Sequence, residues 1–156
     1  MNRTIFCKTH LGILRIVLDD EVVVEISFVD SVSTDTSGDS VVSRQLKEYL
    51  SGSRCTFAFP WAMRGTPFQC QVWQELCRIP YGETRTYGDV AKALGMPGAL
   101  RAVGRACNSN PLLFVVPCHR VVGAGGKMTG FAAGVERKRV LLDMEQQVAD
   151  KKRTRM

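Results

Sequence analysis

The strand-forming residues of this chain are concentrated before residue 30, and its strongest helix-start signals come after residue 65. Ile, Val, Phe and Thr crowd residues 4–9, 12–18 and 21–29, with breaks at His10–Gly12 and Asp19-Asp20. Such runs bounded by turn residues read as three short strands in a meander. Residues 41–50 carry apolar side chains at 42, 46, 49 and 50, a helical spacing, and Gly52 closes the segment. Residues 56–59 read as one more short strand. Strands grouped ahead of helices specify an α+β fold rather than alternating βα units.

Residues 31–40 are rich in Ser, Thr, Asp and Gly and read as a loop, and residues 60–65 read as a junction. A chain of 156 residues holds one ordinary domain or two small ones. The expected division is an N-terminal α/β domain over 1–62, a mainly helical domain over 63–150 and a basic tail over 151–156. Past the junction, Thr66-Pro67-Phe68-Gln69 combines a capping box with proline at the first helical position. Phe68, Val72, Trp73 and Leu76 continue that helix until Ile79-Pro80-Tyr81-Gly82 ends it. Thr86-Tyr87-Gly88-Asp89 opens a second helix by the same capping chemistry, which runs through Val90, Ala91 and Leu94 to Gly95. A turn at Met96-Pro97-Gly98 leads to a third helix from 99 to about 108, which completes a helix-turn-helix pattern. That third helix is slim, with Ala99, Ala102, Gly104 and Ala106, and basic, with Arg101 and Arg105. Small residues suit either tight helix–helix packing or close approach to a groove. Gly123-Ala124-Gly125-Gly126 reads as a hairpin or wing loop. Residues 135–148, apolar at 140, 141, 144 and 148, read as a final helix, and the basic run after them as a frayed, solvated end.

The chemistry-bearing segment follows the helix pair. Asn110-Pro111 and an apolar run, 112–116, precede Pro117-Cys118-His119-Arg120. Proline cannot donate to a sheet ladder, so Pro117 ends the run and presents Cys118 at a fixed point. A thiolate is a strong nucleophile, and a neighbouring base or cation raises its population. Cys-His adjacency alone also fits an inert buried cysteine. The other five cysteines form no CxxC pair. Cys70 and Cys77, seven apart on one predicted helix, read as core. Cys7 and His10 have metal-like spacing, but no second pair completes a site, so no metal is expected.

Composition narrows the class further. The chain is 45% apolar and 23% charged, as soluble domains are. It has no stretch near the ~20 apolar residues of a membrane span. Arg15, Asp19 and Asp20 interrupt residues 13–18 as a secretory leader, so a cytoplasmic location is expected. A net charge of +6 permits nucleic-acid binding without demanding it.

Four blocks, taken together, resemble the O6-alkylguanine-DNA alkyltransferases (methylated-DNA–protein-cysteine methyltransferases). They are Ile79-Pro80-Tyr81-Gly82-Glu83-Thr84 with Tyr87-Gly88-Asp89-Val90-Ala91; Arg101-Ala102-Val103-Gly104; Asn110-Pro111 through Cys118-His119 to Val121-Val122; and Gly130-Phe131 to Leu141-Leu142 and Glu145. The resemblance covers roughly residues 66–147 in the family's order and spacing. It implies a ribonuclease H-like N-terminal domain and a winged helix-turn-helix catalytic domain. It also implies transfer of an alkyl group from guanine O6, and from thymine O4, in double-stranded DNA to Cys118. The product thioether is not cleaved by cellular reductants, so each molecule acts once and needs no cofactor. His119 matches the family's base and Glu145 its orienting acid, and together they are expected to favour the Cys118 thiolate at neutral pH. Asn110 matches the residue that braces them. A base inside a duplex cannot reach a buried thiol, so the nucleotide is flipped out, and Arg101 matches the residue that fills the gap. Tyr87 matches a donor to guanine N3. Val121, Val122, Met128 and Phe131 would line the pocket. Ala99, Ala102, Gly104, Arg105 and Arg120 join Arg101 at the minor groove, in a monomer. Phe131 stands where several members have tyrosine, and Ala132 and Ala133 are small, which leaves the pocket roomier. Two rival readings are a winged-helix DNA-binding protein without chemistry and a thiol hydrolase. The Cys-His block opposes the first and the slim basic helix the second.

Overall fold

The computed structural model describes residues 2–32 and 40–154. Residues 33–39, where most of the expected loop falls, and 155–156 of the basic tail lie outside the described residues. The chain divides into two compact units, Met1–Arg64 with Pro111–Leu113, and Gly65–Asn110 with Phe114–Met156.

In the first unit, β1 (Asn2–Thr9), β2 (Gly12–Asp19) and β3 (Val22–Val29) form an antiparallel meander in the order β1-β2-β3. Ile5 lies opposite Ile16, and Ile16 opposite Ile26. The β2–β3 turn is made by Asp20 and Glu21, at φ 49° and 67°. Two successive left-handed residues match the right-handed twist of a hairpin, and aspartate tolerates that conformation. Leu14, Ile16, Leu18, Val23 and Ile26 are buried, as are Val42, Leu46, Tyr49 and Leu50 of α1 (Val41–Leu50), the face that the apolar spacing marks. Ser40 and Ser43 cap α1 reciprocally.

The expected strand at 56–59 is not formed. The Ala58 N–H donates to the Gln45 side chain at 2.8 Å, so a buried amide takes the place of a ladder partner. The sheet edge is met instead at two single points. Val23 bridges Trp61, with Val23 N donating to Pro60 O at 2.9 Å, and Ile26 bridges Leu112, with Ile26 N donating to Pro111 O at 2.7 Å. The apolar run 112–116 is therefore one bridge followed by a turn, in which Phe114 takes φ 70°.

The second unit contains α2 (Pro67–Leu76), β4 (Arg85–Thr86), α3 (Tyr87–Ala93), α4 (Leu100–Asn108), β5 (Val121–Val122) and α5 (Val135–Thr154). The two predicted capping boxes are present, Thr66 with Gln69 and Thr86 with Asp89. Trp73, 1% exposed, donates from Nε1 to Ala106 O at 2.8 Å and ties α2 to α4. β4 and β5 pair in parallel, Arg85 with Val121 and Thr86 with Val122. Gly123–Gly126 contains a 3-10 turn.

Two expectations fail here. Cys70 is only half-buried and Cys77 is exposed, because the inward face of α2 is Val72, Trp73 and Leu76. α5 continues to Thr154 rather than fraying after 148, consistent with cations being favourable at a helix C-terminus. On its inner side Leu141 is buried and Met144 and Val148 are half-buried, as the apolar spacing predicts, but Val140 is 42% exposed and the charged Lys138 and Glu145 are inside. No helix among the described residues is long and apolar enough to cross a membrane.

Candidate active site

Two turns and one side-chain amide bring Cys118 to its position. The Cys118 N–H donates to Val116 O at 2.8 Å across Pro117, and Arg120 N donates to Pro117 O at 3.0 Å, which winds Cys118–Arg120 into a 3-10 turn. Asn110, just after α4, donates from Nδ2 to Val116 O at 2.8 Å and to Cys118 Sγ at 3.2 Å. One amide thus fixes both the backbone before the thiol and the thiol itself.

Behind Cys118 is a buried polar cluster. His119 Nε2 lies 2.8 Å from Glu145 Oε2. Arg120 grips the same carboxylate with Nε and Nη2, at 2.8 and 2.9 Å, and donates from Nη1 to Ile79 O at 2.8 Å. His119 and Glu145 are fully buried and Arg120 is 7% exposed. A planar guanidinium presents two parallel N–H groups, the geometry a carboxylate accepts best. Gly82 N approaches Glu145 Oε1 at 3.4 Å. Gly82 sits at φ 84°, and a Cβ there would come within 2.7 Å of Ala149, so only glycine lets this turn lie against α5.

This is where Arg120 departs from expectation. It was expected at the DNA face, but its guanidinium is committed to Glu145 and Ile79 and is not presented to a phosphate. Hydropathy hides such a residue, because the pairing that lets it be buried is visible only in three dimensions. Arg101 and Arg105 do lie exposed on α4, beside half-buried Ala102 and Gly104 and next to Ala99 at its N-cap. A Cβ on Gly104 would meet nothing within 4 Å, so its smallness serves no packing inside the protein.

Val121 and Val122 are buried on β5, Phe131 is buried and Met128 is half-buried. Tyr87, half-buried in the first turn of α3, hydrogen-bonds the Thr129 side chain. Lys138 is the residue that sequence reasoning missed. It is fully buried, its Nζ donates to Thr129 O at 2.9 Å and it stands 5.9 Å from the Tyr87 ring centroid. The available signal was its place seven residues before Glu145, on the same helix face. A cavity of about 510 Å³ elsewhere in the unit is lined by Glu75, Arg78, Arg85, Asp89 and Lys92 among others, and no expected site residue borders it.

The protonation states follow from burial. Desolvation pushes the Cys118 thiol up to about 11, against the opposing pull of the Asn110 hydrogen bond and the Lys138 charge. Burial likewise lowers His119, although Glu145 works in the other direction. Burial alone would raise the Glu145 carboxyl, but hydrogen bonds from His119 and Arg120 and their charges hold it well below the usual carboxylate range. Both directions favour a thiol beside a neutral imidazole over the thiolate that the resemblance implies.

A test follows directly. The thiolate fraction of a group titrating near 11 grows about tenfold per pH unit below that value. Alkylation of Cys118 by iodoacetamide, followed by peptide mass mapping, should accelerate about tenfold per unit between roughly pH 7 and 9. A rate that is level across this window would put a thiolate in the resting protein.

Comparison with known proteins adds the following. The profile of a family described as "6-O-methylguanine DNA methyltransferase, DNA binding domain" matches residues 67–147. A methylated-DNA–protein-cysteine methyltransferase of Methanosarcina mazei is 54% identical over 105 residues, 67% of this chain and 66% of that protein. The chain thus spans a little under two thirds of that relative's length. Among solved structures, the Mycobacterium tuberculosis O6-methylguanine methyltransferase superposes with a TM-score of 0.85 at 38% identity, over 94% of each chain. The Mycobacterium tuberculosis OGT in complex with DNA superposes with a TM-score of 0.84 at 40% identity, over 93% of each.

Proposed function

The chain belongs to the 6-O-methylguanine DNA methyltransferase family, and we propose that it repairs DNA by taking alkyl groups from guanine O6 onto its own Cys118, once per molecule. The observation that carries this reading is the buried thiol next to His119, whose Nε2 lies 2.8 Å from Glu145. His119 Nδ1 takes the thiol proton as sulfur attacks the alkyl carbon. The new S–C bond forms as the C–O6 bond breaks, and Glu145 stabilises the imidazolium, the role a carboxylate plays in a catalytic triad. Tyr87 passes its proton to guanine N3 so that the leaving base departs neutral, and the proton taken by His119 restores the Tyr87 phenol through solvent after the base is released. Proton transfer concerted with attack is what a thiol raised by burial requires, since little thiolate exists beforehand.

The substrate is a flipped nucleotide in duplex DNA, and O4-alkylthymine fits the same chemistry. α3 and α4 act as a helix-turn-helix within a winged-helix domain, and the first unit as a reduced ribonuclease H-like module. α4 enters the minor groove, with Ala99, Ala102 and Gly104 allowing close approach and Arg105 meeting phosphate. The open space around Gly104 supports this, because a glycine kept for internal packing would have a neighbour. Val121, Val122, Met128 and Phe131 line the base pocket. The protein works as a cytoplasmic monomer.

Mixing the protein with a duplex that carries one O6-methylguanine should yield at most one methyl per protein molecule; repeated turnover would overturn the proposal. Arg101 separates flipping from chemistry. Arg101→Ala should slow repair of the duplex at least about tenfold, because filling the vacated stack offsets part of the few kcal/mol of unstacking. Reaction with free O6-benzylguanine, which needs no flipping, should change less than about twofold. Equal losses on both substrates would remove Arg101 from the flipping step.

A further inference from the structure

Lys138 is a fully buried ammonium in the second unit, and no carboxylate pairs with it among the described residues. Burying an unpaired charge is costly, and a methionine would fill similar space at less expense. Its Nζ donates to a single backbone oxygen, that of Thr129, at 2.9 Å. Thr129 in turn places its side chain on the Tyr87 phenol. The same ammonium lies 5.9 Å from the centroid of the Tyr87 ring, in the range where a cation is attracted to an aromatic face. Tyr87 is thus held at two points, its ring by Lys138 and its hydroxyl by Thr129, and both holds are anchored on α5.

We infer that Thr129 is a positioning residue for the reaction: its hydroxyl aims the Tyr87 phenol, and its carbonyl, pinned by Lys138, keeps that hydroxyl in place. The inference rests on the reading of Tyr87 as the donor to the leaving base. A donor stabilises developing charge only if it is oriented before the charge appears. A tyrosine in the first turn of a helix has two free side-chain torsions, and its neighbours must fix the direction of its O–H. Thr129 lies on an exposed stretch between the β5 strand and α5, and its Lys138 contact ties that stretch to the helix carrying Glu145. Misplacing a reacting group by about 1 Å can cost on the order of 10²-fold in rate. Losing one of two holds on Tyr87 is expected to cost less.

The test uses Thr129→Val, which removes the hydroxyl but keeps the shape and the carbonyl, with Thr129→Ser as the conservative control. In single-turnover methyl transfer from an O6-methylguanine duplex, Thr129→Val should slow the reaction roughly tenfold and Thr129→Ser less than about twofold. Binding of the damaged duplex, measured in a Cys118→Ser background, should stay within about twofold for both. In a Tyr87→Phe protein, Thr129→Val should cause no further loss, because the hydroxyl it aims is absent. A wild-type rate for Thr129→Val, or the same fractional loss with and without the Tyr87 hydroxyl, overturns the inference. An independent measurement separates its failure from that of the alkyl-transfer reading. The carbon-13 resonance of the Tyr87 phenol carbon, assigned by Tyr87→Phe, should move in Thr129→Val and stay in Thr129→Ser, whether or not the wild type accepts methyl. An unmoved resonance refutes the brace; a wild type that accepts no methyl refutes the reaction.

Discussion

Glu145→Ala is expected to destabilise the protein by about 3–5 kcal/mol, the range for removing one partner of a buried ion pair. The size comes from what is left behind. Arg120, 7% exposed, would lose both hydrogen bonds to the carboxylate, and fully buried His119 would lose the oxygen 2.8 Å from its Nε2. The denaturation midpoint should fall by roughly 10 °C, given about 2–4 °C per kcal/mol for a chain of this size. The pH dependence has a defined sign. The folded Glu145 carboxyl is held below its ordinary value of 4.5, so its contribution is complete above that value and is lost as pH falls toward the lower folded value. The gap between wild type and Glu145→Ala should therefore narrow below about pH 4.5. Glu145→Gln retains an oxygen for Arg120 and should cost less stability. It should still slow transfer, because a neutral amide does not stabilise the imidazolium. A midpoint for Glu145→Ala within about 1 kcal/mol of wild type would mean that Arg120 finds another partner.

Cys118→Ser should abolish methyl uptake while binding of damaged duplex changes less than about threefold. A serine hydroxyl is a far weaker nucleophile than sulfur, and the His119 base is not strong enough to make up the difference. Serine is smaller than cysteine and can still accept from Asn110, so the turn that carries it should persist. Cys107 is the one to watch in this variant. It is buried on α4, and burial together with the proximity of Cys118 pushes it up to about 12. Methyl uptake at Cys107 in Cys118→Ser would show that the pocket admits the alkyl group to either sulfur.

The elements that could be read from the chain are those with local causes. The meander follows from runs of β-formers between turn residues, and α2 and α3 start where Thr66 and Thr86 cap them. The Cys118 turn follows from Pro117, and the Glu145 partnership was reached through resemblance rather than spacing. What could not be read had non-local causes. Residues 56–59 look like a strand, but the Ala58 N–H is taken by the Gln45 side chain of another element. The inner face of α5 carries Lys138 and Glu145 beside Leu141, so an apolar-stripe reading finds that face but not its charged members. Arg120 and Lys138 look like surface cations because burial of a charge depends on partners 25 residues away for Arg120 and 9 for Lys138. The thiol's desolvation was hidden for the same reason: adjacency to histidine is visible in the chain, but burial of Cys118 is not.

The central claim is that Cys118 is the alkyl acceptor. The most direct measurement is peptide mass mapping of the wild-type protein after reaction with a duplex containing a single O6-methylguanine. The expected result is one methyl per protein molecule, on the Cys118 sulfur, with the guanine restored in the duplex. Methyl on Cys107 or any other residue, or an unchanged protein beside unrepaired DNA, would contradict the account.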